Sequence, residues 1–231
     1  MTDVRFVKIY RHPARAAAAV AHHAWLAELG SVRVPALRTF AEHELVFEHL
    51  GPGHPGPQHL DMLAEALGRT HSAAYTAHLH RARLDQPFTT SAGLVIADFI
   101  SPRRTAMDRM PLPVNDLPVA FYKDANIRNF VITNDSVAIV DFDDLTLAPF
   151  GYDLAKLTLS TAMTFGHINC ETIERALEIY NAHTAHPHTE TACSMHQLRH
   201  YLELHHQLTA RYLHTNGYRH PWPDVRPWPQ P

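Results

Sequence analysis

Apolar residues recur along this chain at two periods, and each change of period marks an element. Phe6 to Tyr10, FVKIY, reads as a short strand with Lys8 at its centre. Pro13 opens an alanine-rich helical run that reaches about Leu29; proline suits a first turn and Gly30 suits the stop. Val32 to Phe40 and Glu44 to Leu50 read as two further strands, the second running into GPGHPGP. That break separates a β-rich N-terminal lobe, residues 1–52, from a helical lobe, residues 53–218. Leu60, Leu63, Ala64, Leu67 and Ala74 recur at helical spacing and predict a helix from about Gln58 to Arg83. Pro102 to Pro118 is irregular and carries Arg103 and Arg104. Phe130 to Thr133 and Val137 to Val140 flank Asn134-Asp135-Ser136, a hairpin pattern. Helical patterns follow at about Leu154 to Phe165, Glu171 to His183 and Met195 to His214. The last segment, residues 219–231, ends in HPWPDVRPWPQP and reads as an extended, proline-rich tail.

Composition narrows the classes. Of 231 residues, 45% are hydrophobic and 19% charged, the balance of a soluble globule. A net charge of -3 gives no general case for binding nucleic acid or a membrane surface. No apolar run approaches the roughly 20 residues of a membrane span, and the N-terminus lacks a signal-peptide core. Cys170 and Cys193 are too few for a disulfide scaffold, so a cytoplasmic protein with reduced thiols is expected. The 20 histidines invite a zinc reading, but no HExxH and no finger spacing accompany them. Most imidazoles are therefore expected on the surface.

The hairpin supplies the chemistry. Asn129 lies just before its first strand and Asp141 just after its second. A hairpin returns its ends to one place, and Asp124 sits one loop away, so three oxygen-bearing side chains converge. Oxygen donors without sulfur or imidazole suit magnesium. One carboxylate to accept a hydroxyl proton, an Asn and a second Asp for metal, and a distant lysine for phosphate are the parts of phosphoryl transfer.

Three motifs in order make this specific: Tyr122-Lys123-Asp124 through Asn129, Val140-Asp141-Phe142-Asp143, and Gly151-Tyr152-Asp153-Leu154-Ala155. They resemble the catalytic loop, metal loop and following helix start of the aminoglycoside phosphotransferase family. LAEALGRTHSA around His71, ELVFEHL and WLAELGSVRVPAL resemble further segments of that family, more weakly. The resemblance implies an α+β, protein-kinase-like two-lobe fold with a reduced N-terminal lobe. It implies a phosphotransferase moving the γ-phosphate of ATP or GTP to a hydroxyl of a small molecule or peptide. Asp124 would be the base, Asn129 and Asp141 would hold magnesium with help from Asp143, and Asp153 would support the catalytic loop. Lys8 would contact the phosphates, and the backbone at Glu48, His49 and Leu50 would meet the adenine. Lys123 and Arg128 are either substrate contacts or solvated loop charges.

The pattern also departs. Tyr122 stands where the catalytic loop has histidine, a position that is architectural in the family. No acidic residue lies between Lys8 and Ala27 to pair the lysine, and Glu28 is near the far end of that helix. Only seven residues precede Lys8, where the family has two strands and a phosphate-covering turn. A sheet of about three strands with an exposed edge is expected, covered by a second copy or a partner protein. Nucleotide affinity on the order of 0.1 mM or weaker goes with it. The departures keep a second class open, a kinase-like accessory protein that binds without turnover.

Overall fold

Pro13 and Gly30 punctuate the N-terminal lobe. Strand β1 (Arg5–Ile9) leads into helix α1 (Pro13–Leu29), with proline in its first turn and Gly30 at φ 60° ending it. Strands β2 (Leu37–Phe40) and β3 (Glu44–Glu48) complete an antiparallel sheet of order β1-β3-β2, with Lys8 opposite Leu45. Leu45 and Phe47 turn inward, while Ala16, Ala19, Trp25 and Leu26 form the buried face of α1. From α1, the His23 ring lies 5.5 Å from Phe47 of the sheet and the Trp25 ring stands edge-on to Phe121 at 5.1 Å. Phe6, Val7 and Ile9 are exposed, and no strand among the described residues pairs with the outer edge of β1. This computed structural model describes residues 4–109, 117–134, 136–186 and 190–229.

The glycine-proline break then crosses the hairpin. The Ile132 amide donates to the Gly53 carbonyl at 2.6 Å, and a Cβ on Gly53 would lie 2.1 Å from the Ile132 oxygen. Only glycine permits that approach.

Helix α2 (Leu60–Ala77) buries Leu60, Leu63, Ala64, Leu67 and Ala74, the stripe expected from the spacing. It ends at His78 rather than Arg83; φ -138° there breaks the helix, and one 3-10 turn follows. Two short strands, β4 (Phe88–Thr89) and β5 (Val95–Ile96), pair with each other, and α3 (Arg104–Met107) is a single turn. Strand β6 (Val119–Tyr122) leads into the loop that carries Asp124. The hairpin β7 (Phe130–Thr133) and β8 (Ser136–Ile139) follows, and β9 (Thr146–Pro149) returns to pair with β6. Helices α4 (Tyr152–Phe165), α5 (Cys170–Thr184) and α6 (Met195–Thr209) fill the rest. Asn169 caps α5, and Ser194 with Gln197 forms a capping box on α6. Helix α6 stops before His214. Positive φ at His214, Asn216 and Gly217 turns the chain back, so the amides of Arg219 and His220 reach the Met163 carbonyl. No helix among the described residues is long and apolar enough to cross a membrane.

The proline-rich end is not an extended tail. Trp222–Val225 forms one helical turn, α7, and Trp222 is fully buried. Glu203 accepts hydrogen bonds from Trp222 Nε1 and Arg226 Nη1, both at 3.0 Å. The tryptophan and valine supply apolar anchors that a count of prolines overlooks. Trp222→Ala is expected to cost about 3–5 kcal/mol, read as a lower urea midpoint.

His23, His71 and His205 are buried. His205 Nε2 lies 2.9 Å from the Tyr152 carbonyl, so that nitrogen carries the proton and donates it. Burial, then the charge of Lys156, holds its pKa well below 6.5. The unfolded chain therefore takes up a proton that the folded chain refuses, and stability falls as pH drops below about 6.5. His205→Gln is expected to flatten that slope, measured by urea midpoints on either side of this pH.

Candidate active site

A cleft of about 600 Å³ opens between the two lobes. Lys8 and Phe47 line it from the sheet, Glu48 to Leu50 from the hinge, and Asn129, Val140 and Asp141 from the hairpin. A larger hollow of about 760 Å³, near Tyr75 and Cys193, contains none of the candidate site residues.

The hairpin sets the geometry. The Val140 amide donates to the Asn129 carbonyl at 2.9 Å, closing the hairpin base. Asn129 Nδ2 donates to the Asp124 carbonyl at 2.8 Å, which leaves Oδ1 as the acceptor of that amide. Asp124 and Asp141 both hold positive φ, 56° and 66°. Such backbone is sparsely populated outside glycine, and aspartate tolerates it better than most.

Asp153 lies beneath the loop, fully buried at the start of α4. Its carboxylate accepts the amides of Lys123 and Ala125, both at 3.1 Å, one on each side of Asp124. Tyr180 hydroxyl accepts from the Gly151 amide at 3.0 Å and gives its own proton to His71 Nδ1 at 2.7 Å. That leaves His71 Nε2 to carry its proton toward Asp153, 3.6 Å away.

Sequence reasoning missed what holds the Asp124 side chain. Lys156 Nζ from α4 lies 3.2 Å from Asp124 Oδ1, and Tyr122 hydroxyl donates to the same oxygen at 3.0 Å. Tyr122 is thus more than filler for the missing histidine. Burial and then the Asp124 charge push its pKa far up, so it remains a donor. The Arg103 guanidinium lies 4.9 Å from its ring. For Lys156, burial alone would favour the neutral amine, but Asp124 and Tyr218 outweigh it and the pKa rises. The available signal was a lysine within an otherwise wholly buried helical run. Asn126 and Tyr218 were also missed: Asn126 Oδ1 caps the Arg128 amide at 3.1 Å, and its Nδ2 donates to Tyr218 hydroxyl at 2.9 Å.

Lys8 Nζ sits 2.7 Å from both Asp141 Oδ1 and Asp143 Oδ1. Burial works against its charge, yet these two carboxylates raise its pKa overall. Burial likewise opposes ionisation of Asp141, and Lys8 overcomes it to hold that pKa low. Glu48, which also lines the cleft, turns its carboxylate to Arg33 at 2.6 Å and to the Ala36 amide at 3.2 Å. His49 Nδ1 accepts from the Gly51 amide at 3.1 Å, and Leu50 lines the cleft beside it. Arg128 lines the cleft with its guanidinium 5.4 Å from the Tyr218 ring centre.

Lys123 requires a correction. It is 2% exposed, its Nζ donates to the Val140 carbonyl at 2.7 Å, and it lies 5.8 Å from the Phe142 ring. It ties the Asp124 loop to the segment before Asp141 from inside, and so is not a solvated loop charge. Burial lowers its pKa.

The donor set suits a divalent cation. Asn129 and Asp141 offer oxygen only, and Asp141 is held ionised. Among the described residues no three His, Cys, Asp or Glu side chains form a self-sufficient metal cage. Two oxygen-bearing side chains suit magnesium, which takes one or two protein ligands and completes its shell with phosphates and water.

Comparison with known proteins agrees with this geometry. The phosphotransferase enzyme family model matches residues 2–191. No curated protein matches the chain. Among solved structures, an amicoumacin kinase in complex with AMP-PNP and Ca2+ is similar at TM-score 0.57 and 14% identity, covering 91% of this chain and 74% of that one. A macrolide 2'-phosphotransferase from Brachybacterium faecium gives TM-score 0.55 and 16% identity, covering 98% and 86%. The choline kinase LicA from Streptococcus pneumoniae gives 0.57 and 14%, covering 90% and 76%. These likenesses establish the fold, and the family match over most of the chain establishes membership. The chain therefore belongs to the phosphotransferase enzyme family and has a protein-kinase-like fold.

Proposed function

We propose that the chain transfers the γ-phosphate of ATP or GTP to a hydroxyl of a small molecule or peptide. The observation that carries this reading is the joint placement of Asp124 and Asn129, tied by the 2.8 Å amide bond, at the end of the hairpin that also presents Asp141. Asp124 orients the acceptor hydroxyl and takes its proton as the oxygen attacks the γ-phosphorus. The bond from that phosphorus to the bridging oxygen breaks, and the nucleoside diphosphate leaves. Asn129 and Asp141 are the residues that would hold magnesium; when bound, the ion supplies positive charge against the phosphate oxygens. Lys8 adds charge from the opposite wall. Phe47, Val131, Val140 and Phe142 give the cleft apolar walls for the base, with the backbone of Glu48 to Leu50 at its edge. Lys156 and Tyr122 hold one oxygen of Asp124 and so fix the direction of the other, an orienting role in which small displacements are costly.

Thermal unfolding with ATP and GTP, each with and without magnesium, tests this assignment. A stabilisation by nucleotide that magnesium enlarges, and that Asp141→Asn abolishes in its magnesium-dependent part, is the expected outcome. Identical melting under all conditions would overturn it.

A further inference from the structure

The resemblance assigns Lys8 a glutamate on the following helix, and α1 offers only Glu28, near its far end. Its buried face carries Ala16, Ala19, His23 and Leu26, and the helix has no acidic residue before the exposed Glu28. We infer that Asp143 is the positioning residue for Lys8, supplying the carboxylate that α1 does not bring to it, and that it is not a magnesium ligand. The inference rests on the phosphotransferase reading of the cleft.

Asp143 Oδ1 accepts from two groups of β1 and its end, Lys8 Nζ and Tyr10 hydroxyl, both at 2.7 Å. Residues two apart on an extended chain share a face, so one carboxylate fastens that face at two points. Asp141 also touches Lys8, but the two carboxylates differ in setting. Asp141 lines the cleft and its side chain is 40% exposed, whereas Asp143 is outside the lining and 24% exposed. Asp141 is the oxygen donor open to the cleft, and Asp143 is spent on β1.

The loop carrying both acids is also anchored to α1 of the N-terminal lobe. His22 Nδ1 from α1 is 2.8 Å from the Phe142 carbonyl, and the Phe142 ring stands edge-on to His23 at 4.9 Å. Helix α1 thus docks on the metal loop through imidazoles rather than through a glutamate–lysine pair. Lys8 is held by the loop itself, and when Asp141 serves another ligand, Asp143 still fixes the ammonium in the cleft.

Calorimetric titration with ADP, in EDTA and in magnesium, tests this on wild type, Asp143→Asn, Asp141→Asn, Lys8→Met and the Lys8→Met/Asp143→Asn pair. Asp143→Asn is expected to weaken ADP binding about tenfold, as the loss of one well-placed charged contact does, and equally in both buffers. The double variant should bind no more weakly than Lys8→Met alone. Tyr10→Phe, which leaves the carboxylate in place, should produce the same pattern at a few-fold. A loss for Asp143→Asn that appears only with magnesium would make it a metal ligand and overturn the inference. So would a loss that adds fully to that of Lys8→Met, or no loss at all while wild type binds. Wild type failing to bind ADP in either buffer would instead defeat the phosphotransferase reading, and this inference with it.

Discussion

Asp124→Asn lowers kcat for phosphoryl transfer by about 10²–10⁴-fold, the range a general base contributes, and leaves nucleotide affinity within about twofold of wild type. Asparagine keeps an acceptor for Tyr122 hydroxyl and Lys156 Nζ, so the loop is not asked to refold around an unpaired buried ammonium. What it loses is the ability to take the acceptor proton. Because that interaction strengthens in the transition state, the loss belongs in kcat, not in nucleotide binding. Steady-state kinetics with calorimetry separates the two. A wild-type kcat in this variant would remove Asp124 from the chemistry.

Asp153→Ala destabilises the protein by about 3–5 kcal/mol, the cost of removing one member of a buried charged arrangement. Its removal takes away the acceptor of two buried amides, those of Lys123 and Ala125. Each charge-assisted bond is worth roughly 1.5–3 kcal/mol. Since those amides flank Asp124, kcat falls as well although Asp153 touches no substrate. Denaturant unfolding reports the first effect, and faster hydrogen exchange at these two amides reports the second. Unchanged exchange would mean that the loop is held elsewhere.

The parts of this molecule legible in its sequence are those fixed by local chemistry. Pro13 and Gly30 bound α1 because one fits only a first turn and the other tolerates the left-handed stop. Asn129 and Asp141 come together because the hairpin between them is short and apolar. The end of α2 was less legible, since no glycine or proline marks His78. Lys123 was misjudged because its neighbours in sequence are loop residues, while its neighbours in space are Val140 and Phe142. Lys156 went unnoticed because the helical pattern there is complete without it. The pairing of Lys8 with Asp141 and Asp143 spans more than 130 positions, a separation at which spacing carries no information. The lysine without its helix glutamate is paired instead with carboxylates from the other lobe.

Transfer of label from γ-labelled ATP, with magnesium, to a panel of hydroxylated small molecules and peptides tests the central claim most directly. The cleft geometry predicts labelled product with at least one acceptor, lost on magnesium chelation and in Asp124→Asn. Label remaining wholly in ATP with every acceptor, or product formed equally by Asp124→Asn, would contradict it.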